Sequence, residues 1–133
     1  MFDTPELARG SSKIIVASRY WGEKYPALEF LREHTTQPEQ VKLLRLLDMA
    51  ANNWPIKNRE KCKQIEGELW EFKSHQLRLP YVLRPGNLVV VTHAFRKKRD
   101  DIPNEEITRA SDIVKYFDRH YDFVTGTYRR EQR

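Results

Sequence analysis

Seven side chains in the second half of this 133-residue chain, Lys73, His75, Arg78, His93, Arg96, Lys97 and Lys98, are of the types that grip a phosphate and move a proton. A guanidinium stays charged and binds two oxygens at once, so Arg78 and Arg96 suit a phosphate grip. A lysine is a poor base at its ordinary pKa near 10.4, but neighbouring cations disfavour its charged form, so crowding can itself create a base. Pairing of adjoining antiparallel strands is what would gather these residues into one cationic pocket. Metal chemistry is not expected, and neither is any other cofactor. His75 and His93 stand alone, and Asp100-Asp101 has no companion ligands at metal-site spacing. The single cysteine, Cys62, forms no intrachain disulfide and reads as a structural or surface thiol.

The charge distribution points the same way. The net charge is +5, yet residues 1–56 carry seven basic and seven acidic residues, residues 57–99 eleven and four, and residues 100–133 six and eight. All the excess is in the middle third, where Lys57, Arg59, Lys61, Lys63, His75, Lys98 and Arg99 are candidates for binding a polyanion by counterion release. The plainer alternative is a solvated, lysine-rich surface. No apolar run approaches the roughly 18 residues of a membrane span; the longest, Leu88 to Val91, reads as a strand. The N-terminal residues are acidic and lack an apolar signal region, which leads to an expectation of a cytoplasmic protein.

These residues need elements to hold them. Lys13 to Tyr20 reads as a first strand after a Gly10-Ser11-Ser12 loop, and Tyr25 to Glu33 as a short helix with Pro26 in its first turn. A second helix runs from Pro38 to about Asn52, capped by Thr36, with Val41, Leu44, Leu47 and Met49 as its stripe. Lys57 to Lys63 reads as an exposed loop. Leu69 to Lys73, Gln76 to Leu83 and Leu88 to Phe95 read as an antiparallel meander, with Arg84-Pro85-Gly86-Asn87 as a hairpin turn. Pro80 within the second of these supplies no ladder donor and predicts an edge position or a bulge. A final helix follows from Glu105 to about Tyr121, with Ile107, Ala110, Val114 and Phe117 on one face. The expectation is a single α+β domain over residues 1–133. It has an antiparallel-dominated sheet of about four strands, two N-terminal helices and a C-terminal helix, with residues 1–10 and 122–133 loosely ordered.

The Leu69-Trp70-Glu71-Phe72 strand, followed by Arg78, Tyr81, Gly86-Asn87, and then His93-Ala94-Phe95-Arg96-Lys97-Lys98 leading through Pro103 to Glu106 and Ala110, resembles the RelE/ParE toxin superfamily, in its HigB-like, phage-associated branch. The similarity covers roughly residues 60–117; the N-terminal half agrees in element order. Pro80 departs from the usual pattern.

The resemblance implies a RelE-like fold and the toxin of a type II toxin–antitoxin system, a metal-independent endoribonuclease that cuts messenger RNA on the ribosome and halts translation. Its partners would be a cognate antitoxin, the ribosome and mRNA, with no membrane. Such cleavage needs a base for the ribose 2′-hydroxyl, cations for the charge on phosphorus and an acid for the leaving oxygen. The candidate catalytic residues are Lys73, Arg78, His93, Arg96 and Lys97, with Lys97 or His93 as the base. His93 also reads as a satisfied histidine on a sheet face, and Lys97-Lys98 as a solvated approach to the last helix. Trp54, Trp70 and Tyr81 read as core rather than as base-stacking residues. Two rival functions share the fold, a non-nucleolytic ParE-type inhibitor of DNA gyrase and a catalytically incomplete RNA-binding protein.

Overall fold

The computed structural model describes residues 1–97 and 102–131. Strands β1 (Glu6–Arg9) and β2 (Ile14–Ala17) are followed by helices α1 (Pro26–Glu33) and α2 (Gln37–Asn52). Then come β3 (Cys62–Glu66), β4 (Leu69–Ser74), β5 (Leu77–Arg84), β6 (Leu88–Val91) and β7 (Phe95–Arg96). Helix α3 (Asn104–His120) precedes a small hairpin of β8 (Tyr121–Asp122) and β9 (Thr127–Tyr128).

The helix starts follow local chemistry. Pro26 opens α1, where a missing N–H costs nothing. At α2 the Thr36 hydroxyl accepts from the Glu39 N–H while the Glu39 carboxylate accepts from the Thr36 N–H, a complete capping box. The buried face of α2 is Leu43, Leu46, Leu47, Ala50 and Ala51, displaced from the expected stripe: Leu44 is half-buried and Met49 is 38% exposed. The spacing 43, 46, 47, 50 is the tighter fit to a helical period.

The main sheet has seven strands, not four. Its order is β1-β2-β6-β5-β4-β3, with β7 also paired to β5, and every pairing is antiparallel except β2 with β6. Three of the extra strands have no strong alternating pattern of their own. Residues 6–9, expected to be loose, form edge strand β1 with Leu7 and Ala8 buried. The hairpin joining it to β2 is docked on the end of α2, where Ser12 and Lys13 donate their N–H groups to the Ala51 carbonyl. Gly10 is required there, because a Cβ would lie 2.5 Å from the Ala51 carbonyl carbon. The connector expected over Lys57–Lys63 ends early: Cys62 and Lys63 already belong to β3, the opposite edge strand. The expected loose end at 122–133 contains β8 and β9, and Tyr128 packs against the core through ring contacts with Phe117 and Tyr121.

Pro80 lies in β5, which is central. On one side β5 pairs with β4 over Leu77–Tyr81, with Glu71 opposite Pro80. On the other side β6 pairs with Tyr81–Arg84 and β7 with Leu77–Arg78, and the partner chain breaks between them. Thr92, His93 and Ala94 there span the stretch opposite Leu79 and Pro80, so the partner carries one residue more: a bulge. The Pro80 carbonyl accepts from the Thr92 N–H (2.9 Å) and hydroxyl (3.3 Å), and the absent N–H faces this break.

Two apolar clusters sit on opposite faces of the sheet. The larger joins α1 and α2 to Ile15, Phe72, Leu77, Leu79, Tyr81, Val89 and Val91. The smaller places α3, through Ala110, Val114 and Phe117, on Leu69, Val82, Leu88 and Val90. Arg84 pins α3 in place with paired contacts to Asp118 (2.7 Å) and Glu68 (3.0 Å). The protein is thus a mixed α+β domain of helix pair, sheet and single helix.

Candidate functional site

Strand alternation decides which side chains meet on the α3 face. Leu69, Glu71 and Lys73 of β4 point there, while Trp70 and Phe72 face α2. In register, Lys63 of β3 lies opposite Glu71, Lys73 lies opposite Arg78 of β5, and Arg78 lies opposite Phe95 of β7. Lys97 follows β7 and continues alongside the β4–β5 turn, its N–H donating to the Gln76 carbonyl (2.8 Å). Beyond the apolar patch that α3 covers, this face therefore carries Lys63, Lys73, Arg78 and Lys97 around the buried carboxylate of Glu71.

Glu71 is 1% exposed, and its Oε2 has no hydrogen-bond partner. Its Oε1 lies 3.9 Å from Nε of Arg78, an ion-pair distance. Burial raises the Glu71 carboxyl above the usual range, while Lys97, Arg78, Lys73 and Lys63, in that order, pull it back. Lys97 is 7% exposed. Burial lowers its ammonium, Glu71 holds the proton on, and Arg78, Lys63 and Lys73 push it off. Burial likewise lowers Arg78, whose Nη1 folds back to donate to the carbonyls of His75 and Leu77. Glu71 and Lys97 line a cavity of about 270 Å³, with Lys63, Ile65, Ile102 and Ile107 among its other walls.

Of the expected catalytic residues, Lys73, Arg78 and Lys97 converge here, and His93 and Arg96 do not. His93 is fully buried, stacked on Phe95, with Nδ1 3.0 Å from the Thr92 hydroxyl and Nε2 3.6 Å from Glu106 of α3. Burial lowers its pKa, and Glu106 only partly restores it. Its place inside the sheet is a buried one, but among the described residues Nε2 has no hydrogen-bond partner, Glu106 lying only at ion-pair distance. Arg96 projects to the other face, where it makes a bidentate pair with Glu39 of the α2 capping box (2.7 and 3.0 Å) and donates to the His34 carbonyl (3.0 Å). That pair holds the Glu39 carboxyl down to about 2.

The expected binding residues are dispersed. Lys57 and Arg59 rim an apolar groove lined by Trp54, Ile56, Trp70 and Tyr81. Lys61 and His75 face a different groove, beside α2. Lys63 belongs to the Glu71 cluster, and Lys98 and Arg99 lie outside the described residues. Cys62 is buried, its Sγ 2.9 Å from the Tyr81 hydroxyl, a structural thiol. Among the described residues no three His, Cys, Asp or Glu side chains are grouped so as to hold a metal ion.

Glu71 is the residue that sequence reasoning missed. The signal was present: in Leu69-Trp70-Glu71-Phe72-Lys73 the alternation sets Glu71 on the same face as Leu69 and Lys73, a carboxylate on a buried side beside a lysine.

No curated protein matches the chain. The family model of the phage-derived protein Gp49-like group (DUF891) matches residues 30–115, from α1 to the middle of α3, a span that contains every member of the Glu71 cluster. The chain therefore belongs to the Gp49-like family of phage-derived proteins, a family of the RelE/ParE-like toxin superfamily that is associated with toxin–antitoxin toxins and hence with an antitoxin partner.

Proposed function

We propose that this protein is the toxin of a toxin–antitoxin pair in the HigB-like manner and acts as an endoribonuclease that cuts mRNA on the ribosome in the cytoplasm. The observation that carries the reading is the convergence of Lys97, Arg78, Lys73 and Lys63 on one face of the sheet around the buried Glu71. A phosphodiester laid over Arg78 and Lys73 would have its developing negative charge met by fixed cations in a poorly hydrated setting, where such contacts are strongest. Lys97, its ammonium disfavoured by burial and by three neighbouring cations, is the base that takes the ribose 2′-hydroxyl proton. The 2′-oxygen attacks the adjacent phosphorus and the P–O5′ bond breaks, leaving a 2′,3′-cyclic phosphate. Lys73 supplies the proton to the departing 5′-oxygen. Glu71 does not touch the RNA; it balances the cations so that they stay crowded.

A protein that inhibits by binding alone has no need of a buried carboxylate among four cations, which favours the nuclease over a gyrase inhibitor. The test is primer extension on a defined message in a reconstituted translation system, with and without ribosomes, comparing the wild type with Lys97→Ala. Ribosome-dependent cuts that vanish in the variant support the reading, whereas an intact message at a dose that arrests growth sinks it.

A further inference from the structure

A second cationic feature adjoins the Glu71 cluster and draws on a helix with no net positive charge in its part of the sequence. Lys42 and Arg45 of α2 are three residues apart and exposed, on the same helix face as Leu46 and Met49. Across a groove of about 400 Å³ they meet Lys61, just before β3, Lys73 and Ser74 at the end of β4, and His75 of the β4–β5 turn. Among the described residues Glu60 is the one acid in its walls. Among the described residues, Lys42, Arg45, Lys61 and His75 make no ion pair with any carboxylate. Cations gathered on the walls of one groove repel one another and focus an attractive field on a polyanion. The floor is mixed, with Leu46 buried and Met49 38% exposed, so the groove offers apolar surface as well as charge.

Lys73 ties the two regions together. It lines this groove, and it also lies opposite Arg78 in the sheet and acts on both Glu71 and Lys97. Lys73 stands at the end of β4, so a strand whose scissile phosphate rests on Arg78 reaches the groove by rounding the β4–β5 end of the sheet past Lys73. We infer that the channel between α2 and the β4–β5 turn is the track for the RNA backbone next to the cleavage point, with Lys42, Arg45, Lys61 and His75 as phosphate contacts and Leu46 and Met49 against the ribose or base. This deepens the nuclease reading by naming where its substrate lies, and the RNA-binding half of it stands or falls separately from cleavage.

The test measures binding of a fluorescein-labelled single-stranded RNA oligonucleotide to the Lys97→Ala protein by anisotropy over a salt series. It is repeated with Lys42→Ala and Arg45→Ala added. Both positions are exposed on α2, and thermal melting checks that the fold is kept. Loss of two single-strand phosphate contacts reduces the slope of log affinity against log salt by about 1.4 and weakens binding most at low salt. In the cleavage-competent protein the same pair raises KM and leaves kcat in place. An unchanged slope and affinity overturns the track, even where cleavage by the wild type is intact. A groove that loses polyglutamate binding but not RNA binding on the same substitutions also overturns it, assigning the surface to an acidic protein. If RNA binding depends on Lys42 and Arg45 while the wild type cuts no message, the track stands and the nuclease reading falls.

Discussion

The two faces of the central sheet solve different problems with the same strands. Toward α1 and α2, β4 and β5 present Phe72, Leu77, Leu79 and Tyr81, all essentially inaccessible, and burial there is apolar and dense. Toward α3 the same two strands present Glu71, Lys73 and Arg78, and burial there removes water from charge. The first face lowers the free energy of the fold; the second spends some of that margin holding cations together that would separate in the unfolded chain. The α3 face has its own, smaller apolar cluster, so the crowded charge is confined to the part of that face beyond it, where on the proposed reading a phosphate group would relieve it.

Substitutions that separate the faces test this division. The largest effect expected is for Lys97→Ala, with cleavage rates falling about 100- to 10,000-fold, as for loss of a general base, and a smaller loss of stability than Leu47→Ala causes. Rate assays beside thermal melts of one preparation decide it; lost stability with retained rate would exchange the roles of the two faces. Leu47→Ala, on the fully buried side of α2, should do the reverse: a loss of about 2–5 kcal/mol by denaturant titration, with unaltered turnover per folded molecule.

Glu71→Gln keeps shape and removes charge. Because the Glu71 carboxylate keeps the proton on Lys97, its removal lets Lys97 deprotonate at lower pH, and the rising limb of the pH–rate profile should shift to the acid side. A limb that stays in place would sever Glu71 from the base. The smallest effect concerns Glu39. Its folded pKa of about 2 lies below the ordinary 4.5, so its contribution is complete above pH 4.5 and is lost as pH falls from there toward 2. Urea titrations across that interval should show the loss in the wild type and a smaller one in Arg96→Ala.

How much of this was legible follows from which signals are local. The Thr36 cap, the Pro26 helix start and the turn at Pro85-Gly86-Asn87 depend on neighbours in sequence, and each appears in the structure. Edge strands β1 and β3 do not: four or five residues with mixed burial become strands only because a partner supplies the ladder, and no local pattern announces that. At the site, residue types showed that a cationic cluster was affordable, and registers showed which members it has. Lys73, Arg78 and Lys97 share a face; Arg96, next to Lys97 in sequence, and His93, four residues before it, face Glu39 and Glu106. Glu71 stayed hidden because a lone glutamate in an alternating strand usually faces water.

The bulge opposite Pro80 sets the parity of everything downstream. With equal counts on the two chains, Arg78 would stand opposite Ala94, and even-numbered residues would face α3, bringing Arg96 to the cluster and turning Lys97 away. The single additional residue among Thr92, His93 and Ala94 puts Phe95 opposite Arg78 instead and inverts that choice. A proline that declines to donate one hydrogen bond thus acts as a selector between two adjacent cations, admitting the one that can give up its proton and excluding the one that cannot.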